Sequence, residues 1–258
     1  MRLLDLDYAA LDFETTGLDP DEGDRVVEVA VVRGPLDAEP SRWSTLVHPD
    51  RAMAATGVHG ITAAMVATAP RFASVLPELL RRIEGAVLAC HNADFDIGFL
   101  DMECARAGVS RPEQPVVDTL LLARRLLAVG DHRLSALRER FDLPREVEHR
   151  ALDDAHATFL LARRLVAAAD PAGDLDLPGL LDLCQPRDKG ELERVRQRLA
   201  AAQQSGERLL VDYVSGDSGA ASRREITVVK LGRSRVVAHC HLRRASRTFR
   251  LDRLRLVD

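Results

Sequence analysis

At 258 residues and 46% hydrophobic composition, the chain is long enough for one large domain or two smaller ones and apolar enough to fill a core. Its formal net charge of -4 conceals an uneven spread: residues 189–258 carry 16 Lys+Arg against 8 Asp+Glu, leaving 20 against 32 in residues 1–188, so a basic module suited to a polyanionic partner follows an acidic part. Cys90, Cys104, Cys184 and Cys240 lack Cys-x-x-Cys spacing, so neither a zinc ribbon nor a disulfide framework is indicated, and no apolar run nears the roughly 18 residues of a membrane-spanning helix. With no signal-peptide pattern around Asp5 and Asp7, a soluble protein of the reducing cytoplasm is expected.

The first element is the apolar run 11–18, LDFETTGL. Asp12 and Glu14 lie two residues apart, so on a strand both project from one face and Phe13 from the other. Thr15, Thr16 and Gly17 end that strand and offer backbone N–H groups and hydroxyls just beyond the pair. Residues 26–33 and 42–47 read as further strands, and the short links at Gly34-Pro35 and Pro40 imply a meander. Residues 56–69 form a loop with a helical turn. Residues 72–83 then carry a helical stripe of Phe72, Val75, Leu76, Leu79, Leu80 and Ile83 that Gly85 ends.

Residues 86–90 are a short apolar strand leading at once into His91, Asn92 and a helix to about Ala107. Such a junction places side chains at the carboxyl edge of a sheet. Val116 and Val117 enter Asp118, an N-cap for a helix over 119–128. A short helix over 132–141 and a long one over 151–169 follow, the latter with Leu152, Ala155, Phe159, Ala162 and Val166 on one face. Pro171, Gly173, Pro178, Gly179 and Pro186 mark residues 171–188 as a linker with one helical turn. A charged helix over 191–203 then gives way to strand-like segments at 208–214, 224–231, 235–242 and 247–251, a small, mostly β module. The expected organisation is an α/β domain over residues 1–170, a linker over 171–188 and a basic domain over 189–258.

Two carboxylates that meet at one point raise each other's pKa and call for a proton or a cation between them. A hard cation such as Mg²⁺ takes oxygen ligands. A lone Asp-x-Glu on a strand is usually a solvated face, but two further stretches change the reading. They are HNADFDIGFL over 91–100, with Asp94 and Asp96, and HRALDDA over 149–155, with His149, Asp153 and Asp154. In this order and at these intervals the three stretches resemble the exonuclease motifs of the DnaQ-like DEDDh family, across residues 1–169.

The resemblance implies an α/β fold of RNase H-like type, a mixed sheet flanked by helices. It assigns four metal-binding carboxylates to Asp12, Glu14, Asp96 and Asp154, the base to His149, and two Mg²⁺ or Mn²⁺ ions to the site. Two such ions, about 3.5 to 4 Å apart, would hold the attacking and leaving oxygens of an in-line phosphoryl displacement. A neutral imidazole, with an unperturbed pKa of about 6.5, can take a proton from water at neutral pH. Five residues separate His149 from Asp154, about 140° on one continuous helix, so His149 is placed on the loop entering the 151–169 helix. Arg150 stands where a tyrosine subclass would show Tyr, leaving the histidine subclass as the match. Asp94 and Asp153 fall at variable positions of the pattern and are expected to be solvated or locally hydrogen-bonded.

By the same resemblance Thr15, Gly17 and Leu18 meet the terminal nucleotide, with His59 and Phe95 lining its pocket, where an exposed base stacks on apolar or aromatic groups. Phe99 reads as a core residue, and Asn92 as a cap for the helix that follows. Residues 207–258 resemble a WYL domain in residues 209–213, 224–226, 237–240 and above all 247–253, with Ser234-Arg235-Val236 in place of the naming tripeptide. This implies a small Sm-like or SH3-like β-barrel that binds single-stranded nucleic acid or a nucleotide. Arg224, Arg243, Arg244, Arg247, Arg250, Arg253 and Arg255 concentrate guanidinium groups suited to phosphates, and Arg224, Arg247, Arg250 and Arg253 are the contact candidates. The bland reading of the same residues is a basic surface that docks on the acidic domain.

The expected activity is that of a metal-dependent 3′-to-5′ exonuclease releasing nucleoside 5′-monophosphates from single-stranded DNA ends. Repair or end processing is the expected setting, with nucleic acid, a DNA polymerase or repair proteins as partners and no membrane. Other readings are an exoribonuclease, a polymerase proofreading subunit, or a nucleic-acid or nucleotide-sensing regulator built around the WYL-like module.

Overall fold

The computed structural model describes residues 2–53, 56–145, 150–185, 189–214, 221–232, 235–251 and 254–257. The chain divides into two compact units, Met1–Leu126 with Arg133–Cys184, and Leu127–His132 with Gln185–Asp258. Among the described residues, no helix is long and apolar enough to cross a membrane.

The first unit holds strands β1 (Asp7–Thr15), β2 (Val26–Pro35), β3 (Ser41–Leu46), β4 (Val87–Cys90) and β5 (Val116–Asp118) in the spatial order β3-β2-β1-β4-β5. β1, β2 and β3 form the expected antiparallel meander, whereas β4 joins β1 and β5 joins β4 in parallel. Parallel neighbours need crossovers, and helices supply them. The helices are α1 (Thr56–His59), α2 (Ala63–Val66), α3 (Phe72–Ile83), α4 (Ala93–Arg106), α5 (Thr119–Leu126), α6 (Leu134–Phe141), α7 (Ala151–Ala169) and α8 (Leu177–Leu183). This is the mixed, helix-flanked sheet that the sequence predicts.

Period two sorts the side chains of the sheet. Ala9, Leu11 and Phe13 of β1 and Val29 and Val31 of β2 join α3 and α4 in one core, which the stripe Phe72, Val75, Leu76, Leu79 and Ile83 completes. Each large apolar side chain so buried contributes about 1.5 to 3 kcal/mol. Asp12, Glu14, Glu28 and Ala30 alternate with these residues and lie on the other face, where α7 packs on β1 and β2. β1 begins at Asp7, earlier than its apolar run suggests, because Tyr8, Ala9 and Ala10 are fully buried and Asp7 is ion-paired with Arg33 at 2.7 Å. It ends at Thr15.

The stretch expected as a linker contains α8. Asp176 caps it by accepting the Gly179 N–H at 2.9 Å, and Pro178 falls in the first turn, where its missing N–H costs nothing. In the second unit α9 (Lys189–Ser205) packs on a five-stranded antiparallel sheet of β6 (Arg208–Val214), β7 (Ala221–Leu231), β8 (Arg235–Cys240), β9 (Ala245–Arg250) and β10 (Leu254–Leu256). Its spatial order is β10-β6-β7-β8-β9. Val195, Leu199 and Ala202 of α9 meet Leu209, Ile226, Val236, Ala238 and Phe249 of the sheet. This is the small, mostly β module that the sequence predicts, and among the described residues β9 and β10 end its sheet without pairing with each other.

Candidate active site

The site is built where β1 reaches its carboxyl end. Asp12 and Glu14 project from one face of β1, and Asp154 comes from the first turn of α7, so that one carboxylate oxygen of each lies within 4.8 Å of the others. Burial raises the Asp12 carboxyl well above the usual carboxylate range, and Asp96, Asp154, Glu14 and Glu28 push it further. Glu14 is pushed up to about 7, first by burial and then by Asp154 and Glu28, while Arg150 pulls it down. Three hard oxygen donors that repel one another in a partly buried site fit a divalent cation by their chemistry.

Asp96 adjoins this group without belonging to the three. It sits in the first turn of α4, 3% exposed, and its Oδ1 accepts the Phe13 N–H at 3.2 Å. Burial raises its carboxyl too, against the lowering effect of that hydrogen bond. Asn92 does not cap α4: it adopts φ 80° and makes no side-chain cap bond. Asp118 takes that role, accepting the Ala93 N–H at 2.9 Å as well as the Leu120 and Leu121 N–H groups at 2.8 and 3.0 Å. One buried carboxylate therefore fixes the starts of both α4 and α5.

The entry to α7 is held by groups the motifs do not mark. Glu28, paired across the sheet with Glu14 and 2% exposed, accepts two hydrogen bonds from the Arg150 guanidinium at 2.6 and 3.0 Å and the Ala151 N–H at 3.0 Å. A lone Glu inside the apolar run VVEVAVV was the available signal for it. Asp153, expected at a solvated or locally bonded position, is buried and ion-paired with Arg138 at 2.6 Å, and the same guanidinium reaches Asp154 at 3.0 Å. Asp94 is exposed. His149 lies outside the described residues.

The turn after β1 is rigidly braced. The Thr15 hydroxyl donates to the Gly17 carbonyl at 2.5 Å, and the Thr16 hydroxyl to Asp24 at 2.9 Å. A Cβ on Gly17 would fall 2.2 Å from the Asp24 carboxylate, so any larger residue there would displace that side chain from its bonds to Thr16 and Asp19. Arg51 pairs with Asp24 at 3.2 Å, and Arg25 binds Glu103 of α4 at 2.6 and 3.0 Å. This bracing leaves Leu18 with 84% of its surface in solvent. Phe95 is half-buried, 4.9 Å from the fully buried Phe99, which is the core residue expected. His59 is buried. Its Nδ1 accepts the Ile61 N–H at 3.0 Å, and burial lowers its pKa.

In the second unit Arg224 is half-buried on β7, with its Nη1 3.9 Å from the Cys240 sulfur, and Arg247 is exposed on β9. The backbone of Arg250 pairs with that of Arg235. Arg253 lies outside the described residues. Arg243 and Arg244 are exposed in the turn between β8 and β9.

The family model described as Exonuclease matches residues 9–162, and that of the WYL domain residues 194–258. The DNA polymerase III subunit epsilon-like protein of Rhodobacter capsulatus is 41% identical over 175 residues, covering 65% of this chain and 25% of that protein. The chain thus spans a quarter of that relative's length. The DNA polymerase III subunit epsilon of Treponema pallidum is 36% identical over 165 residues, 62% of this chain and 76% of that one. The solved structure of exonuclease X in complex with 5′ overhanging duplex DNA is similar at a TM-score of 0.52 and 30% identity, over 69% of this chain and 99% of that one.

Proposed function

The chain belongs to the DnaQ-like DEDDh exonuclease family and carries a WYL domain, and from that membership we propose that it removes nucleoside 5′-monophosphates from the 3′ ends of single-stranded DNA. The observation that carries the reading is the meeting of the Asp12, Glu14 and Asp154 carboxylates within 4.8 Å of one another. When bound, two Mg²⁺ or Mn²⁺ ions supply the positive charge that offsets the charge developing on the phosphoryl oxygens.

Asp12, Glu14 and Asp154 would hold those ions, with Asp96 as the fourth ligand. His149 takes the proton of the attacking water, a role within reach of a neutral imidazole at physiological pH. Thr15, Gly17 and Leu18 seat the terminal nucleotide, and the exposed Leu18 offers an apolar surface to its base. Phe95 and His59 line the remainder of that seat. We divide the chain functionally into a nuclease domain over residues 1–170 and a basic module over 189–258, joined by 171–188. In the module, Arg224, Arg247, Arg250 and Arg253 draw the strand in through its phosphates. A cytoplasmic setting accords with four buried free thiols.

The epsilon-like name of the Rhodobacter relative favours a second reading, proofreading within a polymerase assembly, against repair or end processing. The test is a time course on matched single-stranded DNA, duplex DNA and RNA, with Mg²⁺, Mn²⁺ or EDTA. Fastest digestion of single-stranded DNA, abolished by EDTA, is expected. Faster digestion of RNA would overturn the substrate, and digestion in EDTA would overturn the chemistry.

A further inference from the structure

We propose that Arg138 is a positioning residue for the nuclease reaction, a buried guanidinium that holds one oxygen of Asp154 so that this carboxylate meets Asp12 and Glu14 in a single orientation. The inference rests on the reading of Asp154 as a cation ligand. Arg138 lies on α6 with 4% of its side chain exposed. Its Nη1 is 2.6 Å from Asp153 Oδ2 and 3.0 Å from Asp154 Oδ1, and its Nη2 donates to the Pro144 carbonyl at 2.5 Å. One planar group thus ties two first-turn carboxylates of α7 to the segment that leads towards it. His149 follows Pro144 by five residues in the sequence.

Two roles compete for this arginine. Asp153 is as deeply buried as Arg138 and needs a counter-charge, so the pair could be purely structural. Asp154 has no such need, because its side chain is 22% exposed and faces water as well as the other carboxylates. A guanidinium beside a cation ligand repels the cation, which is a cost with no return if the group only neutralises Asp153. The cost is explained if the fork fixes the ligand, because a carboxylate hydrogen-bonded through one oxygen presents the other in a defined direction. Arginine suits the task and lysine does not, since the two ends of its planar fork bond Asp154 and the Pro144 carbonyl at once while its charge faces Asp153, which a single ammonium does not match.

The experiment compares the full-length protein with Arg138→Met, Asp153→Asn and the double variant carrying both. Thermal midpoint, Mn²⁺ binding followed by the electron paramagnetic resonance signal of free Mn²⁺, and kcat and KM on a single-stranded oligonucleotide are measured. Arg138→Met alone loses stability because Asp153 is stranded. The double variant recovers the midpoint, yet binds Mn²⁺ about 10- to 100-fold more weakly and turns over slower by a similar factor, with KM unchanged. Asp153→Asn alone keeps the Mn²⁺ affinity. Should the double variant fail to fold, Arg138→Lys, which keeps the charge and loses the fork, shows the same fall in affinity and kcat.

Recovery of Mn²⁺ affinity and kcat together with the midpoint in the double variant would overturn the proposal, as would a fully active Arg138→Lys. A native protein that bound no Mn²⁺ would instead overturn the cation reading, and the role of Arg138 with it.

Discussion

Removing the Glu14 charge should make the metal-free protein more stable at alkaline pH while destroying its site. Glu14 stands at about 7 against an ordinary 4.5, raised by burial first and then by Asp154 and Glu28. A carboxyl raised in the folded state contributes stability that is fully present below the unfolded pKa and is lost as pH rises through the folded one. The window is therefore pH 4.5 to 7. At about 1.4 kcal/mol per pKa unit, the contribution lost across it is about 3 kcal/mol.

Glu14→Gln cannot ionise, so it escapes that loss. Urea unfolding in EDTA, followed by the fluorescence of Trp43, reads the effect. Trp43 is the one tryptophan of the sequence and packs against the core of the first unit, so the signal reports that unit. At pH 8 the variant should exceed the native protein by up to about 3 kcal/mol, and at pH 4 the difference should shrink below about 0.5 kcal/mol. Mn²⁺ at about 1,000 times its Kd reverses the order at pH 8, because it adds about 4.1 kcal/mol that only the intact carboxylates can collect. A variant no more stable than the native protein at pH 8, or equally favoured at both pH values, would refute the reasoning.

Other perturbations follow from the same geometry. Glu28→Ala leaves the Arg150 guanidinium and the Ala151 N–H without their acceptor and should cost about 2 kcal/mol in the same urea measurement. Leu18→Ala removes an exposed side chain, so stability should move by less than about 0.5 kcal/mol. KM for an oligonucleotide should rise severalfold, equivalent to about 1 kcal/mol of lost apolar contact. Arg247→Glu, exposed on β9, should lower the log–log salt slope of DNA binding by about 1, read by fluorescence anisotropy.

Much of the site was legible because its logic is local. Period two put Asp12 and Glu14 on one face, and a strand running straight into a helix put Asp96 at the sheet's edge. The supporting residues were not legible, since their partners are distant in the chain. Arg150 meets Glu28 across 122 residues, and nothing near either marks the other. Arg138 looks like one more charge on a charged helix until α7 is packed beside it. Asn92 is the residue type for a cap, but its left-handed backbone directs α4 onto Asp118 instead. Proline and glycine density reduces α8 to the single helical turn read within a linker, although Asp176 and Pro178 are ordinary signals of a helix start. β10 follows residues that read as one short strand and needed its pairing with β6 to be seen.

The central claim is that Asp12, Glu14 and Asp154 form a cation site for trimming 3′ ends. Its most direct measurement is digestion of a 5′-labelled single-stranded oligonucleotide in Mn²⁺ by the native protein beside Asp12→Asn. A ladder that shortens one nucleotide at a time from the 3′ end, with no digestion by the variant, is the predicted result. An untouched oligonucleotide, internal cuts, or equal digestion by Asp12→Asn would contradict it.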